Sequence, residues 1–164
     1  VDTSKPKEFK SAIAAYYKIL QETTSRDGFT AHPQSYYEDM ITTLAKQKAA
    51  RFYLASFDGQ PIAGIINTYC KDTAIYYFGA SSNQQRNLMA NYALHWEAIK
   101  DARQDGYTKY DLFGIAPPGD KNHPWSGVSQ FKRKFGGAYF KFPKAKELPL
   151  KKLLYKLYSF KKKC

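Results

Sequence analysis

Apolar residues recur along the chain at two different periods, and the order in which those periods alternate predicts a fold. Over 6–24, Phe9, Ile13, Tyr16, Tyr17 and Leu20 fall three or four apart, the spacing of one helical face, behind Pro6 in a first-turn position. Arg26-Asp-Gly-Phe29 breaks that pattern. After His32-Pro33 a second helix is predicted over 34–47, with Tyr37, Met40, Ile41 and Leu44 turned inward. The period then drops to two. Ala50–Phe57 alternates, Asp58-Gly59 marks a hairpin turn, and Pro61–Cys70 returns. Lys71-Asp72 turns the chain again into Thr73–Ala80, which completes an antiparallel meander.

Helical spacing resumes over 86–104, where Leu88, Met89, Tyr92, Trp96 and Ile99 share a face and Gly106 is placed to end the helix. A short strand over Tyr107–Phe113 and a Gly/Pro loop from Gly114 to Pro124 follow. Ser126–Lys134 reads as a short helix, Ala138–Phe142 as a last strand, and Leu150–Phe160 as an amphipathic helix. On that last helix Leu150, Leu153, Leu154, Leu157 and Tyr158 form a stripe expected to pack inward, with the lysines facing out. This order resembles the GNAT N-acyltransferase fold, an α/β (α+β) arrangement with a mixed, mostly antiparallel sheet flanked by helices. Topology of this kind does not fix chemistry.

Composition narrows the class. At 164 residues the chain fits a single domain spanning 1–164, since a domain of that length buries roughly 70% of its unfolded surface. Apolar residues at 43% and aromatics at 16% argue against disorder. No run approaches the ~20 apolar residues that a membrane span needs, and no signal peptide is visible. The start at Val1 suits a fragment or a processed product. Cys70 and Cys164 make no disulfide framework, which suits a reducing cytoplasm, and three histidines without a Cys/His cluster argue against structural zinc.

Charge changes the picture further. Residues 1–120 carry 13 Lys/Arg against 13 Asp/Glu, whereas residues 121–164 carry 13 Lys/Arg against the one acid Glu147. The whole excess of +12 therefore sits in the last quarter, and over 145–164 it falls on the basic amphipathic helix. Such asymmetry suits a polyanionic partner: tRNA, a diphosphate or an anionic membrane surface. It also suits a solvated basic tail.

An acyl-CoA site would need glycines in the turn before the long helix, so that successive backbone N–H groups can approach a pyrophosphate. That turn reads Ser81-Ser-Asn-Gln-Gln-Arg-Asn-Leu-Met-Ala90, with no glycine after Gly79. Ser126-Gly127 is no nucleophile elbow, and neither His95 nor His123 has a visible nucleophile partner.

Five segments in order carry a closer resemblance: Arg26-Asp-Gly-Phe29, Tyr76-Tyr-Phe-Gly-Ala-Ser-Ser82, Met89-Ala-Asn-Tyr92, Tyr110-Asp-Leu-Phe-Gly-Ile115 and Phe131-Lys-Arg-Lys-Phe-Gly-Gly137. They resemble signatures of the FemABX family, the tRNA-dependent transferases that build peptidoglycan interpeptide bridges, and specifically its second GNAT-like domain. The resemblance implies an aminoacyl-tRNA donor, an amine acceptor on a UDP-linked or lipid-linked muropeptide, no metal or CoA cofactor, and a first GNAT-like domain that this chain lacks. It places Phe131 and Lys132 at the donor ester and implies that Arg26 reaches acceptor phosphates and that Tyr77 contacts the acceptor.

Chemistry agrees with these roles. Attack of an amine on an aminoacyl ester passes through an oxyanion, which Lys132 could stabilise; guanidinium forks suit diphosphate oxygens. The simpler alternatives are a Lys132 that meets only phosphate or solvent and an Arg26 braced on Asp27. Asp111 could accept a proton from the attacking amine, although a loop-bracing or capping role has the stronger claim. Gly136-Gly137 reads as a helix cap. The C-terminal lysines could touch an anionic membrane at the inner face of the plasma membrane. Two other functions stay open: a module that binds tRNA or precursor without catalysis, and a CoA-dependent N-acyltransferase.

Overall fold

A computed structural model describes residues 1–120, 122–143 and 146–161. It divides the chain into two compact units, Val1–Ser126 and Gly127–Cys164.

The first unit holds helices α1 (Pro6–Asp27) and α2 (Gln34–Ala45), strands β1 (Ala50–Phe57), β2 (Gln60–Cys70) and β3 (Thr73–Ser81), a 3-10 turn at Arg86–Leu88, helix α3 (Ala90–Gln104) and strand β4 (Lys109–Asp111). The sheet order is β1-β2-β3-β4. The first three strands pair antiparallel, and β4 joins β3 parallel through the α3 crossover. This mixed, mostly antiparallel sheet flanked by helices is the expected fold class. Asp58 and Gly59 both have positive φ (49° and 73°), the combination a two-residue hairpin turn demands.

β2 is buried without interruption from Ile62 to Asn67 because helices cover both of its faces. On one face α1 and α2 supply Phe9, Ile13, Tyr16, Leu20, Tyr37 and Ile41, which close over Phe52 and Ile66. Gly64 allows this approach: a Cβ there would lie 2.6 Å from the Tyr16 ring. On the other face α3 packs Leu94 and Ala98 against Ala63 and Ile65.

Several elements depart from the sequence expectation. α1 runs on to Asp27, so Arg26 lies in its last turn rather than in a loop; the stop is Gly28 (φ 70°), whose N–H donates to Thr24 O at 2.9 Å. α3 begins only at Ala90, after a left-handed Met89 (φ 51°), and buries Leu94, His95, Ala98 and Ala102. Leu88, Met89 and Trp96, expected inward, are exposed. Alanines let a helix settle close to a sheet, so the inner face of α3 is marked by Ala98 and Ala102 and not by its bulkiest residues.

The second unit contains α4 (Ser126–Arg133), whose first residue ends the first unit, and α5 (Lys152–Lys161). Gly136 (φ 74°) donates to Arg133 O at 3.0 Å and closes α4. The strand expected over 138–142 is absent among the described residues: the alternation of Ala-Tyr-Phe-Lys-Phe finds no pairing edge, and Pro143 follows. The stripe expected over 150–160 does not pack inward where it is described, since Leu150, just before α5, and Leu154 and Tyr158 within it are exposed. The side chains of Leu153 and Leu157, and all of Lys162, Lys163 and Cys164, lie outside the described residues. Among the described residues no helix is long and apolar enough to cross a membrane.

Candidate functional site

The parallel seam between β3 and β4 is short. Thr73, Ala74 and Ile75 pair with Lys109, Tyr110 and Asp111, and there the pairing stops although β3 continues to Ser81. β4 ends at Asp111 while β3 runs on, so the β3/β4 opening is the β3 edge from Tyr76 onward, unpaired on that side among the described residues.

A bulge sits at that point. Asn67 pairs with Tyr76 and Ile66 with Phe78, so Tyr77 is an extra residue with no partner in β2. Bulges re-aim side chains, and here the two neighbouring tyrosines receive opposite fates. Tyr76 turns toward α3, edge-on to His95 at 4.4 Å, and burial pushes its hydroxyl up to about 12. That hydroxyl occupies the space a Cβ on Gly79 would need, which explains the glycine three residues on. Tyr77 is exposed, with its ring edge-on to Phe78 at 4.7 Å and to Phe113 at 5.8 Å.

Phe113 is held there by Asp111. The Asp111 carboxylate accepts the Phe113 N–H at 2.7 Å, and Phe113 takes a positive φ of 65°. Asp111 thus shapes the turn that carries the chain away from β3. Below the opening, Tyr110 links three elements. With His95 in the tautomer that leaves Nδ1 unprotonated, the Tyr110 hydroxyl accepts from Asn67 Nδ2 at 3.0 Å and donates to His95 Nδ1 at 2.8 Å. Asn67 and His95 are fully buried, and burial raises the Tyr110 pKa.

Arg26 approaches the far end of β3. Its guanidinium donates to Ser81 O (3.1 Å), Asn83 Oδ1 (2.8 Å) and both carboxylate oxygens of Asp27 (2.9 and 3.2 Å). Four of its five N–H donors are therefore engaged in bracing. Glu22 and Thr23 tighten the same junction: Glu22 accepts from Ser82 Oγ at 2.8 Å and Asn83 N at 3.0 Å, while Thr23 exchanges hydrogen bonds with Ser81. Sequence reasoning singled out neither Glu22 nor Thr23, because nothing local in Glu22-Thr-Thr-Ser25 signals a partner about 60 residues away.

The structure brings Tyr77 and Asp111 to the β3/β4 opening and sets Arg26 at the end of β3. Phe131 and Lys132 belong to the second unit. There Lys132 and Ser129 are the buried positions of α4, one turn apart, whereas Arg133 and Lys134 are exposed. Lysine is rarely withdrawn from solvent unless something engages it, so Lys132 differs in kind from the two cations beside it. Phe131 packs edge-on to Phe135 at 5.3 Å. His123 is local: its Nδ1 accepts the Trp125 N–H at 3.1 Å. Among the described residues no group of three or more His, Cys, Asp or Glu side chains could hold a metal.

A crossover-linked parallel pair added to an antiparallel meander, in a sheet flanked by helices, is the architecture of the GNAT fold. The chain belongs to the acetyltransferase (GNAT) domain family, which matches residues 1–133. Its curated relatives are of the FemABX family. They include the lipid II:glycine glycyltransferase of Staphylococcus aureus, 30% identical over 134 residues (79% of this chain, 31% of the relative). That of Staphylococcus epidermidis is 33% identical over 96 residues (58% and 21%). The solved structure of FemX superposes with a TM-score of 0.71 at 18% identity, covering 77% of this chain and 48% of FemX. The chain thus spans between 21% and 31% of the length of these two curated relatives.

Proposed function

We propose that this chain is the GNAT-like part of a cytoplasmic aminoacyltransferase. It moves an amino acid from aminoacyl-tRNA to an amine of a peptidoglycan stem peptide, with a first GNAT-like domain completing the acceptor site. The observation that carries the reading is the burial of Lys132, and of that cation alone, within the basic stretch of α4. Relatives named as lipid II:glycine glycyltransferases support it.

In the proposed reaction the acceptor amine attacks the ester carbonyl of the donor. The carbon–nitrogen bond forms, the bond to the terminal ribose 3′-oxygen breaks, and the amine proton leaves with that oxygen. Negative charge develops first on the carbonyl oxygen and then on the 3′-oxygen. A fixed ammonium withdrawn from water stabilises both positions more than a solvated one does. Phe131 covers the ester beside it. Tyr77, exposed at the β3/β4 opening, meets the acceptor. Arg26 contributes to acceptor phosphate binding only by exchanging partners with Asp27 or Asn83. Asp111 is spoken for by the Phe113 turn, so the reading assigns proton transfer to the reactants themselves. No metal or CoA takes part.

The full-length protein, incubated with charged tRNA and UDP-MurNAc-pentapeptide, is expected to give a stem peptide heavier by one amino-acid residue in the mass spectrum. Absence of that product with both UDP-linked and lipid-linked acceptors sinks the reading. The concentration of the whole positive excess after residue 120 favours one second reading, a module that binds tRNA or precursor and transfers nothing by itself. Stabilisation of the chain by acetyl-CoA but not by a UDP-muropeptide would instead favour a CoA-dependent N-acyltransferase.

A further inference from the structure

The second unit carries a surface that the transfer chemistry does not use. Phe140 and Phe142 are 77% and 73% exposed, with their rings edge-on at 4.8 Å. Leu148 and Leu150 are 84% and 89% exposed. In α5, Leu154 and Tyr158 stand one turn apart at 59% and 58% exposure, continuing the four-residue spacing from Leu150. A water-soluble surface seldom presents so many large apolar side chains in so short a stretch. Lys141, Lys146, Lys151 and Lys156 are exposed among them. The one acid after residue 120, Glu147, accepts a hydrogen bond from the Tyr155 hydroxyl.

We propose that Phe140, Phe142, Leu148, Leu150, Leu154 and Tyr158, together with Lys141, Lys146, Lys151 and Lys156, dock the protein on an anionic lipid surface, the apolar side chains entering the interface and the lysines meeting the headgroups. Charge and hydrophobicity must be explained together. RNA phosphates account for the lysines, and bases stack on aromatic rings, yet neither gives Leu148, Leu150 and Leu154 a reason to face outward. A protein partner covers apolar side chains but leaves unexplained why the segment is nearly free of acids. An anionic bilayer satisfies both, because an interfacial helix needs an apolar stripe and flanking cations. The inference deepens the proposed function by placing the enzyme where a lipid-linked acceptor would be, but lipid binding is measured independently of transfer.

The test is co-sedimentation of the full chain with vesicles of phosphatidylcholine alone and of phosphatidylcholine with about one-third phosphatidylglycerol. At least tenfold stronger binding to the anionic vesicles is expected, falling as salt is raised. Phe140→Ser combined with Leu154→Ser should lower that binding about tenfold at an unchanged melting temperature. Lys151→Glu with Lys156→Glu should lower it comparably without touching an apolar residue. Equal binding to both vesicle types overturns the proposal, as does full binding by both double variants. Binding to tRNA with none to vesicles assigns the segment to nucleic acid instead, and a concentration-dependent dimer that loses vesicle binding assigns it to a second copy. A full-length protein that extends UDP-linked acceptors yet ignores vesicles refutes only this inference. One that binds vesicles but never transfers refutes only the function.

Discussion

Two aromatic-rich regions of this chain meet opposite fates. In the first unit Tyr16, Tyr37, Phe52 and Phe78 close over β2 beneath α1 and α2, three of them almost wholly buried. In the second, Phe140 and Phe142 stand two apart as on one face of a strand, with Tyr139 beside them, and all three face solvent. Tyr16 and Tyr37 come from helices, but Phe52 and Phe78 are strand residues like those expected over 138–142; what differs is that both pair with Ile66 of β2, and Phe140 and Phe142 find no pairing edge among the described residues. Alternation states a preference for two faces, and a partner sheet decides whether one of them becomes an inside.

Substitutions sharpen that contrast. Ile13 is fully buried between α1 and the sheet, so Ile13→Ala should lower unfolding free energy by about 2–5 kcal/mol in chemical denaturation. Phe140→Ala, which removes a larger side chain, should change it by no more than about 0.5 kcal/mol. Comparable losses at the two positions would mean that the 138–142 stretch is covered in solution, and the comparison would collapse.

In the basic stretch Lys132-Arg-Lys134 the contrast lies between a buried cation and an exposed one. Lys132→Met should slow single-turnover transfer by the full-length protein about 10²–10³-fold, equivalent to about 2.7–4 kcal/mol of barrier. Lys134→Met, at an exposed position, should leave that step nearly unchanged. Equal losses would reduce the stretch to a source of general positive charge.

A smaller effect is expected at the network under the β3/β4 opening. Tyr110→Phe strips the hydroxyl that joins Asn67 to His95 and leaves two buried polar groups short of a partner, a cost of about 1–3 kcal/mol. Because the network underlies the bulge that exposes Tyr77, the KM for the acceptor should rise more than that for the donor. A loss of stability with both KM values unmoved would confine Tyr110 to the core.

How much of this could be read beforehand follows the same division. The meander was legible because turn chemistry at Asp58-Gly59 and period-two alternation point to one answer. The opening itself was not, since a bulge at Tyr77 depends on register against β2 and shows only as two successive tyrosines. Arg-Asp-Gly reads as a turn that breaks the helix before Arg26, whereas Gly28 caps a helix that includes Arg26. The burial of Lys132 was invisible among three cations in a row, since burial depends on which way each faces.

The least disturbance is expected where the two strands are seamed together. The Asp72 carboxylate accepts from Lys109 Nζ (2.9 Å), Thr73 Oγ1 (2.9 Å) and Thr108 Oγ1 (3.2 Å). The Lys109 hydrogen bond, then that of Thr73, holds its pKa down to about 2. The unfolded carboxyl titrates near 3.9, roughly two units higher, so the ionised form is the one favoured by folding. The contribution is complete above about pH 4 and fades as pH falls toward 2. Because Asp72 is exposed, screening keeps it small. The difference in denaturation midpoint between the native protein and Asp72→Asn should therefore be present at pH 7, shrink by pH 2.5 and narrow in high salt. A difference that held constant across that range would show that backbone pairing alone, from Thr108 N and Lys109 N to Asp72 O, ties β4 to β3.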